Sequence, residues 1–209
     1  MATFERLMEQ VFVGMSWQTA LVYLDDIIVH AKSFEDELRH LREVFTRLEE
    51  SNLKLSPKKC QLFQRSAEFL GYTVSGNGID CQDVKIETVR DWPTPKSPTE
   101  VKSFMGLCTY YRRFVHGFSD IAAPLNAVAS ARTNFSWGST EEEVFNNLKK
   151  ALIHAPILAY PTMMDEFVLD TDASESEMNA FLSKRQNGIE KAIAYYSRTW
   201  KRPERSYCD

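Results

Sequence analysis

The sequence lacks any long apolar run. None of its hydrophobic stretches approaches the roughly 18 residues that a membrane-crossing helix needs. No basic stretch leading into an apolar core follows Met1, so neither a span nor a secretory leader is expected. Closely spaced cysteines are missing too. Cys60, Cys81, Cys108 and Cys208 form no CxxC pair, and the four histidines are equally dispersed. That argues against a zinc site and for a reduced, intracellular, cytoplasmic protein. There is no internal repeat and no low-complexity stretch. An overall positive charge is also absent. The formal net charge of −4 argues against a surface that grips nucleic acid everywhere, because phosphate contacts need local Lys and Arg.

What is present fits a globular chain. Its 209 residues suffice for one large domain or two small ones, and 44% hydrophobic with 26% charged residues excludes a disordered one. The charges are unevenly placed. Lys54, Lys58, Lys59 and Arg65 cluster, as do Arg112 and Arg113, and a third group runs from Lys184 and Arg185 through Lys191, Arg198 and Lys201 to Arg205. Acidic residues collect at 35–50 and 141–143. Each basic cluster reads equally as a phosphate contact or as a solvated face.

Periodicity places the elements. Phe4, Leu7, Met8 and Val11 predict one face of a helix over 3–13. Apolar stretches at 20–24 and 27–30 flank a polar pair and predict a hairpin turning at Asp25-Asp26. Ser33, with Asp36 three residues on, caps a helix whose stripe Phe34, Leu38, Leu41, Phe45 and Leu48 is expected to be core. Strands are expected on one or both sides of the turn at 75–78. A helix over 83–92 stops at Pro93 and Pro95. Ser97-Pro98-Thr99-Glu100 starts another, with Val101, Phe104, Met105 and Cys108 inward. Ser139 is expected to cap a helix carrying Phe145, Leu148 and Leu152. Residues 166–172 alternate as a strand, and 181–197 read as a hairpin around Asn187-Gly188.

Two carboxylate pairs carry potential chemistry. Asp25 and Asp26 are adjacent at a tight turn between apolar strands. Like charges so close repel unless water or a divalent cation neutralises them, and hard cations prefer carboxylate oxygen. A solvated turn and a metal-binding turn both satisfy this. Asp170 and Asp172 share a strand face, either as an exposed face or as metal ligands.

The order of motifs adds context. Tyr23-Leu24-Asp25-Asp26 matches the YxDD motif of reverse transcriptases, and Ala2-Thr3-Phe4-Glu5-Arg6-Leu7-Met8 resembles the palm segment before it in gypsy-like LTR retrotransposons. Asn52 to Cys60 and Glu68-Phe69-Leu70-Gly71-Tyr72 resemble the end of that palm and its primer grip. Trp92-Pro93-Thr94-Pro95, Ser103 to Leu107 and Tyr110-Tyr111-Arg112-Arg113-Phe114 resemble the thumb. Ala155 to Pro161 and Thr171-Asp172-Ala173-Ser174 resemble the connection and the start of RNase H. The resemblance runs, in order, over nearly the whole chain.

It implies an α+β fold: a partial polymerase palm (residues 1–78), a helical thumb (79–124), a connection segment (125–162) and a partial RNase H-like sheet (163–209). It implies RNA-directed DNA polymerase activity in the full-length family, with RNase H activity secondary. Asp25 and Asp26 become metal-site carboxylates for Mg²⁺ or Mn²⁺, and Asp172 the first metal ligand of RNase H. Phe69, Leu70, Gly71 and Tyr72 become the primer grip, and Arg112 and Arg113 become nucleic-acid contacts. The implied partners are an RNA template, a DNA primer and their hybrid, with no membrane. Two departures stand out. Where the family has a G-x-G pattern, this chain has Glu177 and Asn179, which are expected to distort the start of that strand. The family's first palm Asp, its fingers and its next RNase H carboxylate have no counterpart here. A fragment with an incompletely ligated metal site is therefore expected, catalytically incomplete alone. A non-catalytic nucleic-acid-binding remnant and an unused relic are the alternatives.

Overall fold

The computed structural model describes residues 2–15, 17–130, 135–162, 164–201 and 203–204. The chain divides into two compact units, Met1–Leu70 and Gly71–Asp209. The fold is α+β, as the resemblance implies. Among the described residues, no helix is long and apolar enough to cross a membrane.

In the first unit, α1 (Ala2–Val11), the hairpin β1 (Ala20–Tyr23) and β2 (Asp26–Val29), α2 (Phe34–Glu50) and β3 (Ser66–Phe69) follow in order. Met8, Val11, Phe12, Met15, Ala20, Val44 and Leu48 form its core, with Val22, Ile27 and Val29 against it. Ser33 caps α2 as expected, accepting from the Asp36 N–H at 3.1 Å and donating to its carboxylate at 2.9 Å. The apolar stripe of α2 is a correction. Leu41 and Leu48 are buried, but Phe34 (60% exposed), Leu38 and Phe45 are not. The helix turns Leu41, Val44 and Leu48 inward, and its apolar face is wider than the core that covers it.

The second unit holds β4 (Tyr72–Ser75), β5 (Gly78–Cys81), α3 (Asp83–Arg90), α4 (Pro98–Tyr110), a 3₁₀ turn at Arg112–Phe114, α5 (Phe118–Ser130), α6 (Ser139–Ile153) and the strands β6 (Glu166–Ala173), β7 (Glu177–Gln186) and β8 (Ile189–Thr199). The inward face expected of α4 is buried in full: Val101, Phe104, Met105 and Cys108. Ser97 accepts from the Glu100 N–H at 3.3 Å, and Glu100 reaches back to the Lys96 N–H at 2.8 Å. Phe104 meets Phe145 of α6 at 4.6 Å between ring centroids and Trp92 at 5.7 Å. The cap of α6 is Gly138 rather than Ser139. Glu141 accepts from the Gly138 N–H at 2.8 Å, the half of a capping box that needs no side chain on the cap residue. The sequence pattern did not predict α5, which carries Pro124 inside it and runs across the expected boundary near Leu125.

The sheet order is β6-β7-β8, antiparallel throughout, with one irregularity at Leu182/Ser183. Asn187 (φ 53°) and Gly188 (φ 77°) make the expected two-residue turn. Strand β8 packs on α5 and the 3₁₀ turn. The segment after α6 is stitched in by backbone. Leu158 exchanges hydrogen bonds with Ile79 at 2.8 and 2.9 Å, and Ala159 donates to the Ala192 carbonyl at 2.7 Å. Gly78 adopts φ 140°, and a Cβ there would fall on the Leu158 carbonyl oxygen. Replacing Phe104 by Ala should lower the unfolding free energy by about 3–5 kcal/mol, read from the urea midpoint, because its ring is fully buried between two helices.

Candidate nucleic-acid interface and metal-binding hairpin

The hairpin of the first unit is built from β-branched and apolar residues that pair in strict register: Ala20 with Val29, Leu21 with Ile28, Val22 with Ile27 and Tyr23 with Asp26. Ala20, Val22, Ile27 and Val29 face the core. Tyr23 and Asp26 therefore share the opposite face with Leu21 and Ile28. The turn is Leu24-Asp25, not Asp25-Asp26. Leu24 takes a left-handed φ of 53°, and Asp26 is the first residue of β2. The register shifts the turn by one residue, because Tyr23 and Asp26 close the ladder.

Asp25 and Asp26 are both exposed. Every ion pair among the described residues lies elsewhere. Two adjacent, unpaired carboxylates fit a hard divalent cation in kind. They fall short in number, since no group of three or more His, Cys, Asp or Glu that could hold a metal occurs among the described residues.

The expected grip falls at a second two-residue turn, where Leu70 (φ 50°) and Gly71 (φ 74°) are both left-handed. Phe69 ends β3 and Tyr72 begins β4; both are half-buried. In the second unit the Gly71 carbonyl accepts the Tyr111 hydroxyl at 2.6 Å and the Gln82 N–H at 3.3 Å. The Tyr72 ring stacks on Tyr110 at 5.2 Å and meets the edge of Tyr111 at 5.7 Å. Burial, then the hydrogen bond to Tyr110, pushes the Tyr72 phenol up to about 12. Tyr111 is raised as well, chiefly by burial. The sequence reading missed Tyr111 as an anchor. Its place one residue past α4, between two aromatic or basic neighbours, was the available signal.

Arg112 and Arg113 differ sharply. Arg112 is half-buried. Its guanidinium donates to the Ser197 carbonyl and lies over the rings of Tyr196 (5.5 Å) and Phe118 (6.0 Å). Ser197 in turn accepts the Ser119 N–H at 2.8 Å through its hydroxyl. Arg113 is exposed.

Asp172 lies on β6 opposite Asn179, and Asp170 lies opposite Phe181. Both acids are exposed. Asp172 belongs to the second unit and the Asp25-Asp26 pair to the first. The distortion expected from Glu177 and Asn179 does not occur. Strand β7 runs unbroken from Glu177, neither residue has a positive φ, and Asn179 donates to the Glu177 carboxylate at 3.1 Å. Side chains fit there because the ladder is regular, so no glycine-only backbone is required.

Lys184 and Asp165 pair at 3.0 Å with both side chains buried. The Lys184 ammonium, then the Thr162 N–H, holds the Asp165 carboxyl below the usual carboxylate range. A depressed folded value stabilises the fold fully above the unfolded value, and that contribution is lost as pH falls through the folded one. The loss of thermal stability between neutral pH and about pH 3 should accordingly be smaller in Asp165→Asn than in the parent, measured by circular dichroism melts.

Residues 1–74 match the family described as reverse transcriptase (RNA-dependent DNA polymerase), and residues 137–209 match the RNase H-like domain found in reverse transcriptase. The chain is 38% identical over 207 residues to the retrovirus-related Pol polyprotein from transposon 297 of Drosophila melanogaster, covering 99% of this chain and 19% of that protein. It is 34% identical over 202 residues to the corresponding polyprotein of transposon 412, covering 97% and 16%. Among solved structures, it resembles the foamy viral protease-reverse transcriptase in complex with RNA/DNA hybrid, with TM-score 0.84, 26% identity and coverage of 99% of this chain and 28% of that one. It also resembles a foamy viral protease-reverse transcriptase bound to double-stranded DNA, with TM-score 0.86, 25% identity and coverage of 99% and 36%. The chain thus spans less than a quarter of the curated relatives it matches.

Proposed function

Because the chain belongs to the reverse transcriptase and RNase H-like region of retrotransposon Pol polyproteins, we propose that it supplies the metal-binding hairpin and the primer-holding turn of an RNA-directed DNA polymerase, followed by the first strands of an RNase H-like domain. The observation that carries this reading is the tip of β1–β2, where two adjacent carboxylates are exposed and unpaired on an otherwise apolar hairpin. Asp25 and Asp26 would hold Mg²⁺ or Mn²⁺, with further ligands from elsewhere in the polyprotein. Such a cation, when bound, supplies Lewis-acid charge for phosphoryl transfer. Asp172 would serve as one carboxylate of the RNase H-like part. We keep residues 1–78 as palm, 79–124 as thumb, 125–162 as connection and 163–209 as RNase H-like.

The proposed ligands are an RNA template, a DNA primer and their hybrid. Phe69, Leu70, Gly71 and Tyr72 hold the primer end. Arg113 meets phosphate from its exposed position. Arg112, committed to Ser197, acts by steadying the turn that presents Arg113. The test is primer extension on an RNA template by the transposon 412 polyprotein carrying this chain in place of its matching segment. Asp25→Asn or Asp26→Asn should each reduce incorporation by about 10²–10³-fold, the equivalent of several kcal/mol of metal-dependent stabilisation. Unchanged incorporation in both variants would remove the hairpin from the chemistry. A second reading, a nucleic-acid-binding module without chemistry, is favoured by the missing third carboxylate among the described residues. It predicts salt-dependent hybrid binding by this chain that survives Asp25→Ala.

A further inference from the structure

We propose that Tyr111 is a positioning residue: its hydroxyl fixes the left-handed Gly71 turn that presents the primer-holding residues. The inference rests on reading residues 69–72 as that grip, and it adds the element that holds them in place. Three observations meet at Gly71. Its φ of 74° is one that L side chains rarely adopt. Its carbonyl accepts two hydrogen bonds, from the Tyr111 hydroxyl at 2.6 Å and from the Gln82 N–H at 3.3 Å. A Cβ added at Gly71 would sit 3.2 Å from the same hydroxyl and 3.4 Å from the Tyr110 ring, so the phenol also occupies the space beside the turn.

Tyr111 is itself held rigidly. It is 1% exposed and caps the C-terminal end of α4, one residue past the helix. Its ring is edge-on to Tyr110 at 5.0 Å and to Tyr72 at 5.7 Å. The Tyr72 hydroxyl returns a bond to the Tyr110 carbonyl at 3.5 Å. The C-terminal end of α4 thus clamps Gly71 by its carbonyl and Tyr72 by its ring. The left-handed backbone at Gly71 is one a glycine can leave as readily as adopt. A buried phenol donating to its carbonyl removes the freedom of that peptide to rotate. The hydroxyl never needs to touch nucleic acid for this; it acts through the orientation of the Gly71 backbone.

The test compares the full chain with its Tyr111→Phe variant, which keeps the ring and removes the hydroxyl. Amide hydrogen exchange of the peptide covering Gly71–Cys81 should accelerate at least tenfold at its N-terminal end, while exchange within Pro98–Tyr110 stays unchanged. Equal exchange in the two proteins would overturn the proposal, and so would acceleration throughout both segments, which would mark a general loss of packing. Binding is then read by fluorescence anisotropy with a labelled RNA/DNA hybrid bearing a recessed DNA 3′ end and with a blunt hybrid of the same length. The variant should lose several-fold affinity for the recessed end and none for the blunt duplex. An equal loss on both, or no loss on the recessed end where the parent prefers it, would count against a positioning role. If the parent chain shows no preference between the two hybrids, the primer-grip reading fails, while the exchange experiment still decides whether the hydroxyl holds the turn. Gly71→Ala serves as the control from the other side of the contact. It should accelerate the same amides with Tyr111 intact.

Discussion

A single carbonyl oxygen governs much of the second unit. The Leu158 oxygen lies where a side chain at position 78 would begin, and it accepts the Ile79 N–H from that position. Only a glycine lets the two backbones approach so closely. The bond is one half of an exchanged pair, and the next residue, Ala159, passes the chain on to β8 through Ala192. Tyr160 closes the same spot by donating to the Gly78 carbonyl at 3.1 Å. The extended segment after α6 therefore works as a seam. On one side lies the hairpin that begins with Tyr72, and on the other lies the sheet that carries Asp172.

Charged and aromatic residues are divided between two tasks. The catalytically suggestive acids, Asp25, Asp26 and Asp172, all sit on exposed backbone with little around them. The groups that are tightly packed, Tyr111, Phe104, Phe114 and the Lys184–Asp165 pair, hold elements together. Exposure is what a carboxylate needs to keep its charge and meet a cation. Burial is what an aromatic or a paired charge needs to fix geometry. The chain keeps these two demands on different residues, and Arg112 and Arg113 repeat the division within one turn.

Local signals were legible where they were local. Ser33 and Ser97 with their acids, the inward face of α4, and the Asn187-Gly188 turn all follow from residues within one or two turns of one another. The pattern places the hairpin turn one residue late, because Leu24 carries no sign that it adopts a left-handed φ. Helix α5 was hidden by Gly117 and Pro124, which punctuate the sequence although the surrounding apolar residues still find a core. Gly78 has the signature of an ordinary turn residue, and nothing near it in sequence shows that Leu158 demands it. The grip resemblance singles out Gly71 and Tyr72, which fall at a turn and at the start of β4, but the hydroxyl that holds the Gly71 carbonyl is forty residues away. Contacts of that range leave no periodicity to read. The apolar stripe of α2 shows the opposite failure. Its pattern is clear, but periodicity does not show how much of a wide apolar face the core covers.

The Arg112 clasp on Ser197 bears on how such elements exchange parts. A recombination breakpoint near residue 163 would follow the resemblance-based border and carry β6–β8 to a new host. It would leave behind the guanidinium, the Phe118 ring and the Ser119 amide that hold β8. A hybrid element made that way inherits a sheet without its fastening unless the host brings the same arginine in the same turn. Breakpoints that keep residues 112–199 on one piece, by contrast, transfer the sheet with its support. Modularity in this chain follows the side chains that cross between segments.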